Sequence, residues 1–218
     1  MKRQIALIAC ALFLGFSAVP VSAQESDDLK DLIQQVYDLA VQGHEQRNPI
    51  LLLQAAEILI LHPEIQVIDA LGAEDEEDSP NYFDALSLLD AAEGYTPIDL
   101  FKWRKKIDHL RADATFYQEM TVKGSSIQAK NFDLPPNSSK RLTKPFYANH
   151  KVILLLRKGY DLQLSVYNPH AEVLHQTADE RECLIRVPVT ETGDFGIEIA
   201  NLSNSRKRCL LMIENALE

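Results

Sequence analysis

Residues 96–124, TPIDLFKWRKKIDHLRADATFYQEMTVKG, contain the change in hydrophobic periodicity that decides the fold. Up to about residue 114 the apolar side chains recur every third or fourth position, which is the spacing of one face of an α-helix. From about Thr115 they recur every second position, which is typical of a half-buried β-strand. The change predicts an α+β protein with a helical bundle in its first half and an antiparallel β-sandwich in its second.

About four helices are predicted before this change. Each begins at a capping side chain, and three of the starts are followed directly by proline, which suits the first helical position. The predicted helices begin at Ser26, Asn48, Ser79 and Thr96, and the first three end at Gly43, before Pro63 and at Gly94.

The segment LLQAAE at 52–57 returns as LLDAAE at 88–93. Its offset is close to the period of helix-pair repeats, about 34 residues. One interpretation is a short helical-repeat module that presents a groove to a partner. The other is a four-helix bundle whose core helices share composition, and it is preferred because two copies are too few for a stable solenoid.

Short apolar segments separated by turn signals predict a sandwich of jelly-roll type after residue 115. Residues 133–139, rich in proline and small polar side chains, are predicted to be a loop. The predicted strands are 116–122, 127–132, 146–148, 152–157, 162–167, 173–175, 183–187, 195–201 and 208–213.

The first 23 residues have the composition of a secretory signal peptide. Two cations, Lys2 and Arg3, precede an apolar run at 5–19, and Val21-Ser22-Ala23 places small residues before a cleavage site. We therefore expect cleavage near Ala23 and a periplasmic or secreted protein. The predicted organisation is a signal peptide at 1–23, a helical domain at 24–114 and a β-sandwich domain at 115–218.

The charge balance limits the partners. The formal net charge is −10, which disfavours nucleic acid because its phosphates would be repelled. No second long apolar segment follows the leader, so we expect no transmembrane segment in the mature chain. The acidic run 74–78 lacks the alternation and the turn glycine of a calcium loop, and is interpreted as an exposed loop.

Two cysteines remain after the predicted leader, which contains Cys10. Cys183 and Cys209 form an even pair, and an oxidising compartment would preserve a disulfide between them. Each lies in an apolar, strand-like segment. Either a bridge joins neighbouring strands, or both are buried thiols that act as small apolar side chains.

No residue pattern indicates catalysis or a cofactor. The six histidines form no metal-ligand motif, and neither a Gly-x-Ser-x-Gly elbow nor a glycine-rich phosphate loop is present. We therefore predict no catalytic, metal or cofactor-binding residue. Tyr147, Tyr160 and Tyr167 could stack on sugars, or could be amphipathic residues at the rim of the sandwich.

Two segments of the strand half resemble a known family. Residues 160–169, YDLQLSVYNP, are similar to the central strand of bacterial pre-peptidase C-terminal (PPC-type) β-sandwich domains, and 192–201, TGDFGIEIAN, to a later strand. The resemblance covers about 144–215. It implies a secreted, non-catalytic domain that binds or guides secretion. Only Asp161 remains of the family's acidic pair, so no ligand residue is carried over.

These observations favour an exported, non-enzymatic binding or scaffolding protein of the periplasm or cell surface, with a protein or carbohydrate of the envelope as partner. One alternative is a carbohydrate-binding module that uses the sandwich face, which a flat row of tyrosines would favour. Another is an envelope hydrolase, which a polar cluster at the helix–sandwich junction would favour.

Overall fold

The structure is a computed structural model that describes residues 21–68, 81–96, 101–118, 126–157, 161–178 and 182–217. The helices in these ranges are α1 (Val21–Gln46), α2 (Pro49–Leu61), α3 (Ala85–Tyr95) and α4 (Phe101–Gln118). The strands are β1 (Ile65–Val67), β2 (Ser126–Leu134), β3 (Ser139–Phe146), β4 (His150–Arg157), β5 (Leu162–Tyr167), β6 (Val173–Ala178), β7 (Glu182–Pro188), β8 (Gly193–Asn201) and β9 (Lys207–Leu217). The predicted α+β class, with helices followed by an antiparallel sandwich, is confirmed.

Strands β2 to β9 form a jelly roll. One sheet has the order β1-β2-β9-β4-β7 and the other the order β3-β8-β5-β6. Between β2 and β9 the chain passes from one sheet to the other at every connection except β5–β6, which is the connectivity of two interleaved Greek keys. Alternate residues of each strand, such as Leu162, Leu164 and Val166 in β5, fill the space between the sheets.

The helices cover the outer face of β2, of β9 and of part of β4 in the first sheet, which we call the helix-covered sheet. The outer side chains of its edge strand β7 are exposed. Along β9, Cys209, Leu211 and Ile213 face the sandwich interior, whereas Leu210 and Met212 belong to the core shared with the helices. Strand β9 is therefore apolar at consecutive positions because both of its faces are buried. Contacts between the halves cross the predicted domain boundary, and the division into two domains stays a prediction.

The second sheet, β3-β8-β5-β6, contributes no residue to the core shared with the helices. We call it the exposed sheet, because several side chains on its outer face are open to solvent, among them Arg141 and Gln176. The two sheets thus share one core and differ in what lies outside them.

Three predicted helix boundaries are wrong. Helix α1 already includes Val21, before its predicted start at Ser26. Helix α1 continues through Gly43, where an added Cβ would lie 2.6 Å from Leu52 Cδ2, so this glycine permits a close approach of α2 and does not end the helix. Helix α3 begins at Ala85, not near Ser79, because the Asp84 carboxylate accepts hydrogen bonds from the amides of Leu86 and Ser87.

The strand predictions also need correction at three places. Strand β1 lies in the helical half and pairs in parallel with β2; three residues are too few for a periodic signal. Strand β3 occupies 139–146, whereas the prediction placed a strand at 146–148 and Ser139 in the loop 133–139. The pattern was missed because an edge strand tolerates lysine and proline. Helix α4 reaches Gln118, so no strand begins at Phe116.

Two predicted segments lie outside the described residues: most of the signal peptide, 1–20, and the acidic run 74–78. Among the helices that the structure describes, none is long and apolar enough to cross a bilayer.

Candidate functional site

The outer face of the exposed sheet is a regular grid of side chains set by the strand register. Leu142, Leu164 and Ile197 point inward, so their neighbours in sequence point outward. One cross-strand row contains Thr143, Gly196, Tyr167 and Val173, and the next contains Arg141, Glu198, Ser165 and Gln176.

The guanidinium of Arg141 lies over the ring of Tyr167 in the middle of this face. Its Cζ lies 4.4 Å from the centroid of the Tyr167 ring, a cation–π contact worth about 0.5–1 kcal/mol at an exposed site. An added Cβ on Gly196 would lie 2.7 Å from Nη2 and 3.0 Å from Nε of Arg141. The bare backbone at Gly196 therefore provides the space in which the guanidinium lies.

Tyr167 also positions the carboxylate of Glu198. The Tyr167 hydroxyl donates a hydrogen bond to Glu198 Oε2 at 2.8 Å. This hydrogen bond is the main reason that the pKa of Tyr167 is raised, with a smaller contribution from burial. The phenol thus stays protonated and keeps its role as a donor. Ser165, only 4 % exposed, lies in the adjacent strand directly opposite Glu198.

We call Arg141, Tyr167, Gly196 and Glu198 the Arg141 cluster. It places a donor-only cation and an acceptor-only anion at directly paired positions of β3 and β8. Among the described residues, no carboxylate lies within ion-pair distance of Arg141. The arrangement can donate and accept hydrogen bonds at neighbouring points of one surface, and its formal charge is zero.

A second polar cluster lies at the junction of the helices with the helix-covered sheet. The His44 ring stacks on Tyr82 with centroids 5.3 Å apart, and His44 Nδ1 lies 3.3 Å from the Tyr95 hydroxyl. Burial lowers the pKa of His44 and raises the pKa values of Tyr37 and Tyr82. Burial therefore favours the uncharged forms of His44, Tyr37 and Tyr82.

The charged part of this junction links α1 to the sandwich. Arg208 in β9 donates to Glu45 in α1, and its Nε lies 3.8 Å from Asp133 Oδ2. Arg206 Nη1 lies 3.3 Å from the same oxygen. Asp133 Oδ1 is buried and has no hydrogen-bond partner among the described atoms. The charges at the junction thus mainly pair with one another.

The structure describes two of the three predicted stacking tyrosines and does not bring them together. Tyr147, 52 % exposed, follows β3, and its ring centroid lies 5.5 Å from that of His150. From the register, its neighbour Phe146 lies about 14 Å from Tyr167 between Cα atoms. The accessible ring of Tyr167 carries Arg141 on one face. Tyr160 lies outside the described residues.

The predicted bridge between Cys183 and Cys209 is not formed. Strand β4 separates their strands, since Leu156 pairs with Cys183 on one side and with Leu211 on the other. Two strand spacings are about 9.6 Å, more than the roughly 7 Å between Cα atoms that a disulfide can span. Both residues are buried thiols in the sandwich core, as the alternative interpretation has it.

Sequence reasoning assigned Gly196 and Glu198 to the predicted strand 195–201 but missed Arg141. Residues up to 139 were predicted to be a loop, and 140–145 were assigned to no strand, so nothing indicated that Arg141 pairs with Glu198. The alternation of Leu142 with polar neighbours was the available signal, and Pro145 obscured it. Among the described residues, no three histidine, cysteine or acidic side chains are grouped as metal ligands.

Comparison with known proteins gives limited likenesses. No protein-family profile and no curated protein sequence matches this chain. Among solved structures, PliG of Aeromonas hydrophila, a periplasmic inhibitor of g-type lysozyme, is similar over 44 % of this chain and 91 % of its own, with 10 % identity and a TM-score of 0.37.

Two further structures show weaker similarity. The capsular polysaccharide assembling protein CapF of Staphylococcus aureus is similar over 48 % of this chain and 36 % of its own, with 12 % identity and a TM-score of 0.28. A disulfide-linked pilus protein of Bacillus endospore appendages is similar over 45 % of this chain and 96 % of its own, with 10 % identity and a TM-score of 0.24. We draw no functional conclusion from these values.

Proposed function

We propose that this chain is an exported, non-enzymatic binding or scaffolding protein of the periplasm or cell surface, and that it binds its partner with the outer face of the exposed sheet. The proposed export depends on the signal-peptide pattern of residues 1–23. The resemblance of 144–215 to PPC-type domains agrees with such a role, because the resemblance implies a binding domain.

The Arg141 cluster is the observation that carries this proposal. Arginine has a large side-chain entropy, so holding it flat on an exposed surface costs free energy. Here Tyr167 and Gly196 restrict the guanidinium, while no described carboxylate uses it as an ion-pair partner. A positioned polar group that is exposed and available is typical of a binding surface.

The helix-covered sheet has less of its outer face available. Ile127, Leu155 and Leu210 are buried against the helices, and exposed outer residues such as Arg186 lie on the edge strand β7. An envelope hydrolase would need its reacting groups at the junction, where His44 contacts Tyr82 and Tyr95 and the charged groups mainly pair with one another. The exposed sheet is thus the better candidate surface.

Photo-crosslinking in cells tests the proposal. A benzophenone amino acid replaces Gln176, exposed on the face of the exposed sheet, or Arg186, exposed on the edge strand of the helix-covered sheet. We expect a crosslinked adduct from position 176 and none from the matched position 186. Fractionation should find the protein in the periplasm or outside the cell. Adducts only from position 186, or none from 176, would contradict the proposal.

A further inference from the structure

We propose that the ligand of the exposed sheet is a neutral, hydroxyl-rich glycan. This inference rests on the proposed function, because it names the class of ligand that the same face would bind. It is drawn from the charge balance, the donor and acceptor pattern and the shape of the Arg141 cluster.

The charge balance disfavours an ionic ligand. Arg141 and Glu198 lie at directly paired positions, so any anion that approached the guanidinium would also approach the carboxylate. A cation on Glu198 would meet Arg141 in the same way. The net charge of −10 further repels an acidic partner at long range. A neutral ligand avoids both penalties.

The donor and acceptor pattern suits neighbouring hydroxyl groups. Arg141 only donates hydrogen bonds, and the Glu198 carboxylate only accepts them. A hydroxyl does both, so two adjacent hydroxyls on a sugar ring satisfy the pair together. Gln176 and Gln163 on the same face, in strands β6 and β5, carry amides that can extend this pattern.

The centre of the face has no exposed aliphatic side chain. Protein–protein interfaces favour apolar side chains with tyrosine, tryptophan and arginine at their centre, and are depleted in glutamate and serine. The middle of this face contains Glu198, Ser165 and Gly196 beside Arg141 and Tyr167, and the exposed apolar residues of β6, Val173 and Leu174, lie on the edge of the sheet. A flat polar surface with a shallow centre at Gly196 fits an extended sugar chain.

Tyr167 has a different role here from the one predicted for it. Its ring supports Arg141 and its hydroxyl holds Glu198, so it acts as a positioning residue and not as a stacking platform. Affinity should therefore depend on hydrogen bonds made by the side chains that Tyr167 orders.

A glycan array that carries neutral and acidic bacterial surface glycans tests the inference with the full mature chain. We expect binding to neutral glycans, and about tenfold weaker binding for Arg141→Ala, because this variant loses a hydrogen bond from a charged donor to the glycan. Gly196→Ala should have a similar effect, since its Cβ would displace the flexible end of Arg141 while the arginine itself remains. Arg186→Ala is the matched control and should bind like the unmodified protein.

Glu198→Gln sharpens the charge argument. It leaves Arg141 uncompensated, so binding to neutral glycans should weaken and binding to acidic glycans should rise. Thermal unfolding of each variant shows whether the fold is kept. Binding to acidic glycans alone, or equal binding by Arg141→Ala, Gly196→Ala and the unmodified protein, overturns the inference.

The crosslinking experiment separates the two proposals. If position 176 gave an adduct but the array showed no binding to neutral glycans, the proposed class of ligand would be wrong while the proposed binding face would still be supported. Absence of both would overturn the proposed function as well.

Discussion

The two sheets of the sandwich share one core but differ in what covers their outer faces. In the helix-covered sheet, β9 is apolar on both sides, with Cys209 to Ile213 buried at every position, whereas the outer side chains of the edge strand β7 are exposed. In the exposed sheet, β5 alternates apolar with polar side chains, and Leu162, Leu164 and Val166 point inward. The same strand geometry thus gives a structural layer on one side and a surface available for recognition on the other.

The largest expected effect is on the buried outer face of β9. Leu210→Ala removes a side chain packed against the helices and should lower the free energy of unfolding by about 2–5 kcal/mol. Gln163→Ala, on the outer face of the exposed sheet, should change it by less than about 0.5 kcal/mol. Urea unfolding of both variants measures the difference, and equal losses would refute the contrast between the faces.

A smaller loss in the free energy of unfolding is expected for a substitution at Asn201, where the two sheets are joined. Asn201, 1 % exposed, donates from Nδ2 to the carbonyls of Leu134, Pro135 and Ser205, and its Oδ1 accepts from Ser203. Asn201→Ala leaves these carbonyls without their donor and should cost about 2–3 kcal/mol.

The control for Asn201 is its neighbour Leu202, which is exposed. Leu202→Ala should leave the urea midpoint nearly unchanged. If Asn201→Ala were equally harmless, the amide would not hold the β2–β3 and β8–β9 connections together.

The junction should make stability depend on pH. Burial holds the pKa of His44 below its value in the unfolded chain, so the unfolded state binds more protons between the two pKa values. The contribution of neutral His44 to the free energy of unfolding is complete above its unfolded pKa of about 6.5. It is lost as the pH falls through the lower pKa of the folded state. His44→Gln should flatten this part of the stability profile, measured by urea unfolding at several pH values.

His109 provides the comparison for that experiment. Its side chain is 79 % exposed on α4, away from the junction, and His109→Gln should leave the slope of stability against pH as it was. If His109→Gln changed the slope of stability against pH and His44→Gln did not, the junction would not be the source of this pH dependence.

The smallest effect is expected for the ion pair between the helices and β9. Glu45 and Arg208 are both substantially exposed, so Glu45→Gln should cost only about 0.2–1 kcal/mol, and less at high salt. Thermal unfolding at low and high salt checks this. A loss as large as that of Leu210→Ala would mean that charge, not apolar contact, attaches the helices to the sheet.

The sequence predicted most of the strands because their alternation is local. Strand β5 matches its predicted range, whereas β3 does not, since Lys144 and Pro145 interrupt the pattern on an edge strand. Pairing between distant strands has no such local signal. For that reason neither the separation of Cys183 from Cys209 by β4 nor the approach of Arg141 to Tyr167 could be predicted.

The position of β9 has a consequence for how the protein matures. It pairs with β2 and β4 in the middle of its sheet, although it follows all other described strands in the chain. The helix-covered sheet is therefore incomplete until β9 has been synthesised. Pairing between strands that lie so far apart in the sequence is slow. We expect the nascent chain to remain loosely folded for most of its synthesis, a state compatible with the proposed export.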